Sequence, residues 1–126
     1  MNGVVIDSSV FIDDIRRGSE VIELIREQSL KRQIRVMVPS AVILELWSGS
    51  SMIETKVSDE VRRLYGQFEI IPLTEVLAIE AGKLVGTYKI KAIDAVIAAT
   101  ALAEKAWLAT LNRKDFVKVP DLRLWE

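Results

Sequence analysis

The sequence predicts an α/β fold, a three-layer α/β/α sandwich with a mostly parallel central sheet of about five strands, and three observations lead there. Short runs rich in β-branched residues, such as Val4 to Ile6 and Ile34 to Val38, alternate with longer segments of helical period. The intervening lengths suit helical crossovers, which join parallel strands in the right-handed sense and cover both faces of a sheet. Half of the 126 residues are hydrophobic, so a single domain over residues 1–126 can bury a core of its own.

Val4 to Ile6 forms the first strand, and a helix follows from about Phe11 to Arg17, where Gly18 breaks it. Ser19 is placed to cap a second helix, whose apolar stripe is Val21, Ile22, Leu24 and Ile25. Ile34 to Val38 is the second strand. Pro39 and Ser40 then make a strand-to-helix turn, with Ser40 capping a helix over Ala41 to Trp47 that Gly49 closes. Ser58, Asp59 and Glu60 open an amphipathic helix through Val61, Leu64 and Tyr65. Phe68 to Leu73 is the third strand, Thr74 caps a helix reaching about Gly86, and another helix runs from about Ala92 to Lys105. Trp107 to Leu111 supplies the fourth strand and Leu122 to Trp125 the fifth.

Cysteine and histidine are both absent. Disulfides, thiolate nucleophiles, sulfur-ligated zinc and the commonest general base are thereby excluded. The chemistry that remains uses carboxylates, hydroxyls, amines or amides, and a metal held by them is a hard cation with oxygen ligands. With 17 Lys plus Arg against 18 Asp plus Glu, the formal net charge of -1 provides no general basic field, so nucleic acid must be held by a local patch. Asp7 interrupts the N-terminal apolar run before it reaches signal-peptide length, and Asp94, Glu104 and Lys105 interrupt the long apolar stretch from Ala92 to Leu111. These features lead to the expectation of a cytoplasmic protein with no membrane span.

Three acids stand out because each is the only charged residue of an apolar segment. Asp7 closes the first strand, Glu45 is alone within Ala41 to Trp47, and Asp94 is alone within Ala92 to Ala99. Burying an ionised carboxylate is costly unless it is paired, hydrogen-bonded or bound to a metal, and no basic partner lies beside these three in the sequence. Ligands of open parallel sheets gather beyond the carboxyl ends of the strands, where Asp7 sits and where early turns of the following helices bring Glu45 and Asp94. Converging carboxylates repel one another, and without histidine or cysteine the compensating cation is Mg²⁺ or Mn²⁺. Such an ion activates water and stabilises charge on a phosphoryl oxygen, the basis of metal-assisted phosphodiester hydrolysis. Two of the three also have a plainer use, since Asp7 could bond the amides of the next turn and Asp94 could cap or complement a helix start, whereas Glu45 lies past the first helical residues in a strongly apolar stretch.

The ordered set Val4, Val5, Ile6, Asp7, Ser8, Ser9, Val10, Phe11, Ile12, Asp13 resembles the opening of a PIN domain. Glu45 is similar to the second acid of that family, Asp94 to its third, and the run from Leu108 to Phe116 to its closing segment. The resemblance implies an endoribonuclease dependent on Mg²⁺ or Mn²⁺, with Asp7, Glu45 and Asp94 as metal ligands, Asp115 as a further catalytic acid, and Ser9 and Thr110 in support. At this size it points to VapC-like toxins. The implied partners are an RNA substrate, a VapB-like antitoxin that inserts a peptide with a basic side chain near the metal site, and a second copy in a homodimer or larger toxin–antitoxin assembly. Two positions depart from the family pattern: Ser8 replaces the usual threonine, and Asn112 stands where an aspartate is common. Asn112 keeps an amide but no charge, so either Asn112 or Asp115 fills the fourth position, and one metal, or a weakly held second, is expected.

Arg113 and Lys114 follow the fourth strand and are candidates for substrate phosphate. Lys31 with Arg32, and Arg62 with Arg63, read as solvated helix faces. The stripe Val57, Val61, Leu64 and Tyr65 is the candidate antitoxin surface. One rival reading is an aspartyl-phosphate phosphotransfer domain, but the second acid that a dehalogenase-like phosphatase would need is Ser9 here. The other is a non-catalytic PIN-like module that binds RNA or protein.

Overall fold

The computed structural model describes residues 1–125, with the backbone alone at 50 and 51. The element order is β1 (Gly3–Ile6), α1 (Ser8–Arg17), α2 (Val21–Arg32), β2 (Arg35–Pro39), α3 (Ser40–Trp47), a 3-10 turn (Ser50–Ile53), α4 (Thr55–Gly66), β3 (Glu69–Ile71), α5 (Glu75–Tyr88), α6 (Ala92–Ala103), β4 (Trp107–Ala109) and α7 (Arg113–Phe116).

All four strands pair in parallel, in the order β3-β2-β1-β4. β1 is buried along its whole length, as its unbroken run Gly-Val-Val-Ile requires of a strand covered on both faces. The chain winds outward from β1 to β2 and β3 on one side, then returns to place β4 on the other. Right-handed crossovers therefore put α1 to α4 on one face and α5 and α6 on the other. α6 lies across β1, β2 and β4 with α5 packed outside it, and α1 touches α2, α3 and α4. The strand order reverses between β1 and β4, and a crevice opens beyond their carboxyl ends.

The fold class is as the sequence predicts, with a smaller sheet. Residues Leu122 to Trp125 do not form a fifth strand: they make one parallel bridge, Leu108 to Leu124, through the bonds Leu108 N–H to Arg123 O and Trp125 N–H to Leu108 O, both 2.8 Å. Several boundaries also move. α1 begins at Ser8, because Asp7 takes the cap position with extended backbone. Ser19 does not cap α2. Glu20 adopts the left-handed conformation there, and the Ile22 amide donates to the Asp14 carboxylate of the preceding helix at 3.1 Å. Ser40 is the first residue of α3 rather than its cap, and its hydroxyl accepts the Leu73 amide at 3.0 Å, tying α3 to the chain beyond β3. α4 starts three residues before Ser58, at Thr55. Thr74 does cap α5, accepting the Leu77 amide at 3.2 Å.

Gly3 marks the tightest approach within the sheet. A Cβ there would lie 2.7 Å from the Arg35 carbonyl oxygen and 2.6 Å from the Met37 side chain, and a backbone atom cannot step aside cheaply. Gly3→Ala is expected to lower stability by about 1–3 kcal/mol, the usual cost of overpacking. Gly82→Ala, inside α5 with nothing near the added Cβ, should instead stabilise by about 0.5–1 kcal/mol. Chemical denaturation of both variants measures the contrast, and equal shifts would remove the steric reason for Gly3.

Candidate functional site

Asp7 leaves β1 at its carboxyl end, and Thr110 follows β4, the neighbouring strand. The pairing of Ile6 with Ala109 brings the two side chains together across the crevice. Thr110 Oγ1 donates to Asp7 Oδ2 at 2.8 Å, and Ser9 Oγ donates to the same oxygen at 2.8 Å. Each hydroxyl has a single proton, and both point at Asp7, so the 3.3 Å contact between Ser9 and Thr110 is proximity rather than a further bond. The hydroxyl oxygens also accept: Ser9 takes the Leu111 amide and Thr110 the Asn112 amide, both at 3.0 Å. Asp7 is 3% exposed and makes no capping bond to α1, so its carboxylate faces the crevice instead of the turn that follows it.

Glu45 reaches the same region from the second turn of α3. Its Oε1 accepts the Ser8 hydroxyl at 2.9 Å. Asp94 sits in the first turn of α6, is 8% exposed, and no hydrogen bond to its carboxylate is found among the described residues. Lys91, not Asp94, holds the cap position of α6.

Electrostatics tie the acids together. Burial raises the Glu45 carboxyl above the ordinary carboxylate range; the Ser8 hydrogen bond opposes this, Asp7 and Asp94 add repulsion, and Lys91 relieves part of it. Burial likewise raises Asp94, with repulsion from Asp7 and then Asp115 adding to it and Lys91 again opposing. Glu45 thus feels Asp7 and Asp94, whereas Asp115 bears on Asp94. Asp115 is also paired with Lys118 at 3.1 Å.

Ser9 and Thr110 stand directly on Asp7, and Asn112 enters through its backbone amide. Arg113 and Lys114 are exposed at the start of α7. Ser8 as the partner of Glu45, and Lys91 as the cation beside two acids, were not anticipated. Lys91 carries a sequence signal, a basic residue one helical turn before an isolated aspartate, whereas Ser8 becomes legible only once α3 is packed beside α1. Arg32 and Arg62 are used elsewhere: Arg32 lies over Trp125 at 4.7 Å and over Trp107 at 5.7 Å, and Arg62 lies over Trp47 at 5.1 Å.

Among the described residues, no group of three or more acidic side chains lies close enough together to hold a metal ion between them. Mg²⁺ does not require one, since it keeps several waters and is commonly held by one or two carboxylates together with substrate phosphates. The donor set of buried carboxylates flanked by hydroxyls, without nitrogen or sulfur, fits a hard dication.

A model of the PIN domain matches residues 4–122, and the chain belongs to that family. Solved structures of the same fold include VapBC2 from Rickettsia felis bound to a DNA fragment from its promoter, at 23% identity over 98% of each chain with a TM-score of 0.84. DNA-bound VapBC from Salmonella typhimurium follows at 21% identity, covering 99% of this chain and 98% of that one, with a TM-score of 0.83. VapBC-1 from nontypeable Haemophilus influenzae is 22% identical over 98% of this chain and 96% of that one, with a TM-score of 0.80. No curated protein matches the chain by sequence. No helix among the described residues is long and apolar enough to cross a membrane.

A carboxyl raised by folding holds its proton more tightly in the native state than in the unfolded chain. Stability then falls as pH climbs from the unfolded carboxylate value through the native one, and the whole penalty is present above it. In chelator, Asp94 should therefore cost stability as pH climbs above the ordinary aspartate value of about 4, while the lowered Glu23 and Glu69 act in the opposite sense. Asp94→Asn removes the Asp94 part, so its melting midpoint in chelator should gain on that of the wild type by roughly a few degrees as pH rises. Scanning calorimetry of both proteins at several pH values decides this, and a difference that does not grow with pH would contradict it.

Proposed function

We propose that this chain is a divalent-metal-dependent endoribonuclease and the toxin of a VapBC-like type II toxin–antitoxin pair. The observation that carries the reading is Asp7, a buried carboxylate at the strand switch point with both its hydroxyl partners on Oδ2, so that Oδ1 accepts no hydrogen bond among the described residues. A merely structural aspartate would have its carboxylate consumed by the backbone of the next turn. Membership of the PIN family and the toxin–antitoxin complexes among its structural neighbours, including one from Klebsiella pneumoniae, support the same reading.

In this reading Asp7, Glu45 and Asp94 hold Mg²⁺ or Mn²⁺, with Asp115 or Asn112 completing the set. When bound, the ion supplies activated water and offsets the charge that builds on the phosphoryl oxygens. Ser9 and Thr110 fix the rotamer of Asp7, and Ser8 fixes that of Glu45, so the carboxylates need little rearrangement to act. Lys91 moderates the repulsion among them while the site holds no cation. Arg113 and Lys114 meet the RNA backbone on the α7 side, where a protein of net charge -1 needs its local cations.

Asp7→Asn and Asp94→Asn should each lower cleavage of single-stranded RNA in Mn²⁺ by about 100-fold or more, with the fold retained. Thr110→Val should lower it by roughly 10–100-fold, as loss of a carboxylate-orienting partner does. Gel-based cleavage assays with circular dichroism controls test both, and indifference to the aspartate substitutions would leave a binding module.

The stripe that the sequence marks meets a groove of about 90 Å³ between α1, α3 and α4, which Val57 and Val61 line together with Ile12, Ile15, Leu46, Arg16 and Glu45. Val61 itself is buried, so of these two Val57 is the one open to a partner. An antitoxin segment with an apolar residue in the groove and a basic residue at the acids matches both its shape and its charge. Val57→Glu should weaken the complex with a cognate VapB-like antitoxin by roughly tenfold or more, measured by calorimetry. Unchanged affinity would move the antitoxin elsewhere. The exposed apolar residues Leu73, Val76 and Ile79 at the start of α5 supply a surface for the homodimer.

A further inference from the structure

A second cavity borders Thr110 and shares no lining residue with the antitoxin groove. It has a volume of about 260 Å³ between α2, the end of β4 and the start of α7. Its walls include Leu24, Leu111, Gln28, Trp125 and Arg113, and Thr110, the hydroxyl that holds Asp7, is part of its lining. We infer that this cavity is a nucleobase subsite, which takes the unpaired base next to the scissile phosphate of an RNA strand. The inference rests on the ribonuclease reading of the acid cluster.

Three observations support it. The first is connection. Leu111 is 56% exposed, yet its amide is held by Ser9 Oγ, and Ser9 holds Asp7. The wall of the cavity and the carboxylate are therefore one hydrogen-bonded unit, and whatever fills the cavity lies within a residue of the reacting centre. The second is chemistry. Leu24 and Leu111 offer apolar surface that folding alone gives no reason to leave at 53% and 56% exposure, suited to the face of a heterocycle. Gln28, half-buried in the same wall, has an amide with no hydrogen bond among the described residues, and a carboxamide both donates and accepts along the edge of a base. The cavity is below the 300 Å³ or so at which drug-sized ligand sites begin, in keeping with a single ring system.

The third is charge. A chain with net charge -1 has no general basic field, so contacts to bases add to those that Arg113 and Lys114 make with phosphate. This cavity shares Thr110 with the hydrogen-bond set of Asp7. A peptide partner would also accept an apolar surface, but it would have no need of continuity with Ser9 and Thr110.

The test uses the full chain and four oligoribonucleotides that differ only in the base beside the cut, with a fifth that is abasic there. Leu24→Ala should lower kcat/KM on the four intact strands by roughly tenfold, the usual scale of a lost base contact. Gln28→Met should level the differences among the four bases. Neither variant should change cleavage of the abasic strand or the melting midpoint. Intact and abasic strands cut at equal rates by the wild type, or variants that behave as wild type on every strand, would overturn the subsite. So would variants that alter only the self-association of the protein or its complex with the adjacent antitoxin, because the cavity would then belong to a protein partner.

If the wild type cuts none of the strands, the ribonuclease reading fails separately. Binding in chelator then decides the subsite: the intact strands should quench the fluorescence of Trp125, with the effect lost in Trp125→Phe, and no quenching would overturn it.

Discussion

The pairing of β1 with β4 is the constraint on which the site depends. It sets Ile6 beside Ala109, so the next residues on each strand, Asp7 and Thr110, face each other where the sheet order reverses. Two hydroxyls converge on one carboxylate oxygen, and their own lone pairs are taken by the amides of Leu111 and Asn112. The carboxylate, the loop after β4 and the first turn of α1 form a single network. In such a network each hydrogen bond strengthens its neighbours and leaves few alternative arrangements of the acid. Glu45 and Asp94 are added to this fixed point by α3 and α6, which approach it from opposite faces of the sheet.

The network places negative charge where it is costly to place it. Asp94 is buried without a bonding partner among the described residues, and Glu45 has one hydroxyl. A fold under selection for stability alone would replace these groups with apolar ones of similar volume. The raised Glu45 and Asp94 carboxyls express that cost as a displaced proton equilibrium, which supports the proposed role of this cluster. Lys91 lessens this cost at both Glu45 and Asp94, and Lys118 pairs with Asp115.

Much of this was legible in the residue order because burial and isolation are visible in a sequence. A charge alone in a run such as Ala92 to Ala99 has nowhere to go but inward or to a shared site, and the parallel topology indicates which end of the sheet collects such residues. The strands and the longer helices were legible for the same reason, their periodicity. Less local features were not. Asp14 supplies the hydrogen bond that Ser19 was expected to make, because the left-handed Glu20 turns the chain so that the earlier helix reaches the Ile22 amide. Leu24 belongs to an apolar run and yet faces outward, because only Ile22, Ile25 and Ser29 of α2 meet the core. An amphipathic pattern likewise does not separate an inward residue such as Val61 from an outward one on the same stripe.

The short C-terminal bridge is the remaining part of the same design. β4 is an edge strand and carries Thr110 just beyond its end, so a frayed edge would loosen the hydrogen bond that orients Asp7. Leu108, two residues before Thr110, is held on its open side by Arg123 and Trp125. Trp125 in turn meets Trp107 edge-on at 5.4 Å, and the Arg32 guanidinium covers both rings. A full fifth strand would have extended the sheet and exposed a new edge, whereas one bridge closed by an aromatic and cationic stack ends the pairing at that point. The bridge thus protects the edge and braces the strand that positions the site, which explains why so short a segment carries two tryptophan contacts.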